Sequence, residues 1–161
     1  MMYFWNIEAL KRDIVGGRLT EKDRFIYALI YIVFSVAAFE YFQGSATEYS
    51  NIWDQIESIA NVVVVLVGTY FTYRVNGASS GSDFLGRYFS LGFVVTIRFS
   101  VLLFPIVFAL QMYGTALGVE NEMPVSTPFS VSIIVLWTCF LYANLVKHIK
   151  LVKSTQQSVQ E

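Results

Sequence analysis

The chain has one cysteine, Cys139, and one histidine, His148. A single cysteine cannot close an intramolecular disulfide, and neither a Cys-based nor a two-histidine metal site can be assembled. No metal or cofactor is therefore expected. Lys and Arg are absent from 25–73 and, apart from Arg98, from 88–146. No block of basic residues interleaves with aromatics, and the net charge is −1, so a nucleic-acid partner is not expected either. Also missing are H-E-x-x-H, G-x-S-x-G, a phosphate-binding Gly-rich loop and Cys-x-x-Cys. The expectation is a protein that is not an enzyme.

What is plentiful is apolar surface. Of 161 residues, 55% are hydrophobic and 17% aromatic, with a mean hydropathy of +0.54. One soluble core of that size cannot hide so much of it. Four runs, Phe25–Phe39, Ile59–Phe71, Phe89–Leu110 and Val131–Val146, approach the length needed to cross about 30 Å of hydrocarbon as helix. The predicted fold is an all-α membrane protein, an up-down bundle of four transmembrane helices at about 22–43, 52–75, 84–113 and 128–149. It forms a single domain over 1–161.

Taken in order, Tyr3, Ile7, Leu10 and Ile14 share one helical face, with Glu8, Lys11, Arg12 and Asp13 off it. Residues 1–19 thus read as a short amphipathic interfacial helix anchored by Trp5, not a cleavable signal peptide, and Gly16-Gly17 ends it. Thr20 with Asp23 forms a capping-box-like start for the first span, and Asn51 can cap the second. The segment 76–82 is a Gly/Ser turn. Thr127-Pro128 starts the fourth helix, whose basic end is expected to be followed by a frayed polar tail at 154–161.

Ten of the eleven basic residues fall on one side of a four-span chain: Lys11, Arg12, Arg18, Lys22, Arg24, Arg74, Arg87, Lys147, Lys150 and Lys153. The positive-inside rule places both termini in the cytoplasm, and the expected location is a bacterial inner (plasma) membrane. The expected partners begin with the bilayer itself, including anionic headgroups near Lys147, Lys150 and Lys153. Tyr41, Phe42, Tyr49, Trp53 and Tyr113 would mark the outer interface, with Trp53 as its indole anchor. Glu40, Glu48, Asp54, Glu57, Glu120 and Glu122 gather on that side without a basic residue.

Arg98 is the remaining cation, near the middle of the third run. A guanidinium there costs about 2.5–3.5 kcal/mol on insertion scales, so it calls for a partner. Asp54, Glu57, Asn61, Val65, Gly68 and Thr72 recur along one side of the second span. Counted from the short turn, Asn61 and Arg98 lie at equal depth, with Glu57 about one turn, ~6 Å, further out. A buried polar seam of Arg98, Asn61, Glu57 and Asp54 is the expectation, either fixing the packing or lining a path. On the opposite face of the third span, Gly92, Thr96 and Ser100 form a small-residue packing ridge.

These features point first to a non-catalytic membrane protein acting through assembly, as a homo-oligomer or with a membrane protein partner. Immunity, defence-effector and accessory-subunit proteins share that description. The alternative is a small transporter or channel lined by Arg98, Asn61 and Glu57.

Overall fold

The structure, a computed structural model, describes residues 3–44, 52–116 and 127–160. Among these the chain is all helix: α1 (Ile7–Val15), α2 (Glu21–Gly44), α3 (Ile52–Asn76), α4 (Phe84–Ala116) and α5 (Pro128–Gln160), with one 3-10 turn at Ala78–Ser80. Three segments are long and apolar enough to cross a membrane: Ile52–Asn76, Phe84–Leu103 and Pro128–Ser158. That length and composition mark an integral membrane protein. The expected Asn51 cap and the outer connections carrying Glu48, Tyr49, Glu120 and Glu122 lie outside the described residues.

Local chemistry sets the helix starts. The Asn6 side chain accepts from the Ala9 amide at 3.0 Å and begins α1. Thr20 and Asp23 cap each other: the Asp23 amide donates to Thr20 Oγ1 at 3.2 Å, and the Thr20 amide to Asp23 Oδ2 at 3.2 Å. The shorter Asp thus does the work of the usual Glu. At α5, the Ser130 amide donates to Thr127 Oγ1 at 3.2 Å, with Pro128 in the first helical position. Gly17 closes α1 at φ +64°, a conformation that suits glycine. At the other end of the chain, the polar tail expected to fray from Ser154 continues as helix to Gln160.

The helices form a row rather than a ring of sequential neighbours. Its order is α2, α4, α5, α3: among the described residues α3 packs most extensively on α5, α2 packs on α4 alone of the helices, and α4 bridges to α5. Helices α3 and α4, consecutive in the chain, barely touch beyond their connecting turn. Directions follow from the contacts. Arg24 meets Asp83, Tyr27 stacks near Phe93, and Tyr31 lies beside Gly92, so α2 and α4 run the same way. Asn61 meets Thr138, and a Cβ on Gly68 would run into Tyr142, so α3 and α5 are also parallel. Phe99 against Trp137, and Gly92 beside Leu145, make α4 and α5 antiparallel.

Helix α1 lies in the groove between α4 and α5. Its start is tied to Arg98 through Trp5, and its last turn to Gln156, whose Nε2 donates to the Ile14 carbonyl at 3.4 Å. Those anchor points are separated along α5 by more than the length of α1 (~13 Å at 1.5 Å per residue). The helix therefore runs along the row instead of lying across its end. Ile7, Leu10 and Ile14 are buried in one cluster with Leu145, Ile149 and Val152, two apolar stripes of the same spacing. Their apolar face is turned to protein. The buried core, which also holds Tyr27, Leu91, Phe93, Val94 and Val95, sits at this end of the molecule.

Candidate functional site

The residues expected to form one seam are distributed over different pairs of helices. Arg98 turns to the N-terminal segment: its Nε and Nη2 donate to the Trp5 carbonyl at 3.0 and 2.5 Å, and its Cζ stands 5.5 Å from the centre of the Trp5 ring. A backbone carbonyl and an indole face thus hold the guanidinium, the second by a cation–π attraction. Asn61 is bonded across to α5, where Thr138 Oγ1 donates to its Oδ1 at 3.4 Å while also reaching the Ile134 carbonyl at 3.0 Å. Asp54 and Glu57 are half-buried in the first turns of α3, and Asp54 lines a shallow depression with Gln55, Ser58 and Ile59. Arg98 and Asn61 are not brought together, because α3 follows α5 and not α4.

The ridge on α4 has three different environments. Gly92 is buried, with Tyr31 and Leu145 at 3.9 and 4.0 Å from where a Cβ would stand, so it packs between α2 and α5. Thr96 is half-buried, whereas Ser100 is exposed. Trp53 is half-buried near the start of α3, and Trp5 is 53% exposed.

A convergence of polar groups lies at the end of the row that holds the 77–83 turn and is centred on Arg87, a residue that sequence reasoning used only as an orienting charge. Arg87 is 3% exposed. Its Nη1 donates to Asn76 Oδ1 at 2.9 Å, and its Nη2 to Ser82 Oγ at 3.2 Å and to Gln156 Oε1. Asn76 is itself buried and donates to the Ser82 carbonyl at 3.2 Å. One guanidinium therefore joins α3, the 77–83 turn, α4 and α5. Gln156 extends the network to α1, and the Arg24–Asp83 ion pair at 3.1 Å brings in α2. Five donors in a rigid fork suit Arg to such a junction.

A second tie lies one or two turns further along. Thr69 Oγ1 and the Tyr88 hydroxyl are 3.1 Å apart, and the Tyr88 and Tyr142 hydroxyls 3.3 Å, linking α3, α4 and α5. Gly68 makes room for it, since a Cβ there would lie 2.3 Å from Tyr142 Cδ1.

Outside the spans, the N-terminal segment is fastened by its own charges. Tyr3 Oη donates to Asp13 Oδ2 at 2.7 Å, and Arg18 Nε to Asp13 Oδ1 at 2.9 Å. The Tyr3 hydroxyl and then the Arg18 guanidinium hold the Asp13 carboxyl below its ordinary pKa. Lys11, at 2.7 Å, does the same for Glu8.

No group of three or more His, Cys, Asp or Glu that could hold a metal is found among the described residues. Comparison of the chain with family models, curated proteins and solved structures finds no match.

Proposed function

We propose that the chain is a four-span inner-membrane protein, with cytoplasmic termini, that acts through assembly and not catalysis. Helix α2 supplies the fourth span, and α1 braces the inner ends of α4 and α5 at the cytoplasmic side. The observation that carries this reading is the open row. The outermost helix α3 is packed on α5 along one side, and leaves Ile59, Val62, Val63, Leu66 and Tyr70 exposed on others. Such faces are suited to lipid and to a second membrane helix, where packing and a few hydrogen bonds decide association. The partner is a second copy of the chain or another membrane component, as in immunity, defence-effector or accessory-subunit proteins.

The polar groups support this division of labour. Arg87, Asn76, Gln156 and Arg98 are committed to holding helices together, which is what a scaffold requires. A transport path through Arg98, Asn61 and Glu57 gains nothing from the geometry, since Arg98 and Asn61 are bonded on different helix pairs.

Cross-linking in native membranes followed by mass spectrometry tests the assembly. The expected result is a discrete product containing α3, either a dimer of the chain or a complex with one membrane protein. A chain that stays monomeric and uncross-linked in its native membrane would overturn the proposal. Topology is tested separately in a Cys139→Ser background. Ala46→Cys and Gly118→Cys should label from outside, whereas Ser79→Cys and Gln157→Cys should label only after permeabilisation. Outside labelling at position 79 would refute the four-span arrangement.

A further inference from the structure

We propose that a second groove between α4 and α5, lined by no residue of α1, is a binding site for one anionic glycerophospholipid, with the phosphate on Lys147 and an acyl chain running outward. The inference rests on the membrane-spanning reading above. The groove has a volume of about 450 Å³ and is walled by Phe99, Leu102, Trp137 and Phe140, with Asn144 and Lys147 at one end. The ring contact between Phe99 and Trp137, with centroids 5.3 Å apart, joins its two walls.

Depth and charge select the occupant. Lys147 is 19 residues beyond Pro128, ~28 Å along the helix, which is close to one hydrocarbon thickness of about 30 Å. If α5 enters the outer surface at Pro128, Lys147 emerges where the inner headgroups begin. Side chains on a helix lean toward its N-terminus, so the ammonium is carried back over Asn144 and Ala143 into the mouth of the groove. Lys147 is exposed and forms no ion pair among the described residues. The nearest other cation along the groove, Arg98, is already bonded to Trp5. An ammonium at that depth beside an apolar channel matches a molecule that is anionic at one end and hydrocarbon at the other. From Lys147 to Trp137 the groove runs ~15 Å, enough for most of an acyl chain lying parallel to the helices. A free phosphate would leave the aromatic walls unused.

The test uses the full chain purified in detergent, with phosphatidylglycerol or phosphatidylcholine of the same acyl chains, and native mass spectrometry to count bound lipid. Wild type should retain phosphatidylglycerol about fivefold better, the discrimination expected of one lysine at a lipid surface. Lys147→Gln should abolish that preference, whereas Lys150→Gln, outside the groove, should leave most of it. Ala143→Phe should fill the channel and lower retention of both lipids. Helicity by circular dichroism confirms that each variant compared is folded.

Equal retention of the two lipids by wild type would overturn the proposal, as would an undiminished preference in Lys147→Gln. Displacement of bound lipid by glycerol phosphate at equal concentration would mean a simple anion site, and would also overturn it. Loss of a dimer instead of lipid in Ala143→Phe would assign the groove to a second copy. Failure of the membrane-spanning reading would appear differently, as protein released from membranes without detergent.

Discussion

At the end of the row that holds the 77–83 turn, α2, α3, α4 and α5 are connected by charged and amide groups within a few residues of one another. Arg87 reaches Asn76, Ser82 and Gln156, and Arg24 reaches Asp83. Further out the same helices meet through Gly68 against Tyr142, then through one long Asn61–Thr138 contact, and apolar side chains such as Ile59, Leu66, Leu102 and Phe140 are exposed. The difference follows from solvent. Near the headgroups, polar junctions gain geometric definition at moderate desolvation cost, whereas in hydrocarbon apolar side chains need no burial and small residues set the packing. The end with the 77–83 turn therefore fixes which helices are neighbours, and further from it the apolar side chains of the row stay exposed.

Removing the central tie should have the largest effect. Arg87→Leu leaves three acceptors at the junction without their donor and should destabilise the chain by about 3 kcal/mol. Arg87→Lys keeps the charge but not the fork and should recover only part of the loss. Both are measured by reversible denaturation in detergent, and a change near zero would mean that the Arg87 junction is incidental. Next is Gly68→Ala, whose new methyl would collide with Tyr142. A loss of about 1–3 kcal/mol is expected from the overpacking. The same substitution at exposed Gly17 meets no neighbour but is strained by its positive φ, which makes it an unsuitable control.

Smaller effects sharpen the account of Arg98. A double-mutant cycle of Trp5→Leu with Arg98→Gln should show coupling of about 0.5–1 kcal/mol from the cation–π contact. The cycle of Asn61→Leu with Arg98→Gln should be additive within about 0.5 kcal/mol, the usual limit for separate sites. Coupling in the second cycle and none in the first would restore the single seam.

The smallest effect concerns pH at the N-terminal segment. The folded pKa of Asp13 is lowered, so its contribution is present above the unfolded carboxylate value, about 3.9, and is lost as pH falls through the folded one. Hydrogen exchange in α1 should accelerate below about pH 4, and Asp13→Asn should show the faster exchange already at neutral pH. Exchange that is equally slow in both would show that the Tyr3–Asp13–Arg18 cluster does not fasten α1.

The sequence was most informative where structure is local. Thr20 with Asp23, Thr127 with Pro128, and the Ile7–Leu10–Ile14 stripe specify their helices through contacts within a few residues. Pairings between helices were not legible. Counting equal distances from the 77–83 turn matches Asn61 with Arg98, which assumes that α3 and α4 stay together. They diverge, because Gly68 lets α3 approach α5 instead. The partner of Arg98 lies outside the spans: it is the carbonyl and the ring of Trp5, ninety-three residues away in sequence.

The arrangement of α3 on α5, not on α4, is the claim on which the rest depends. It is tested most directly by paired cysteines in a Cys139→Ser background with a short thiol-specific linker. Asn61→Cys with Thr138→Cys should cross-link in membranes, and Asn61→Cys with Arg98→Cys should not. Efficient cross-linking of 61 to 98 with none of 61 to 138 would contradict the row and return the chain to a bundle of sequential neighbours.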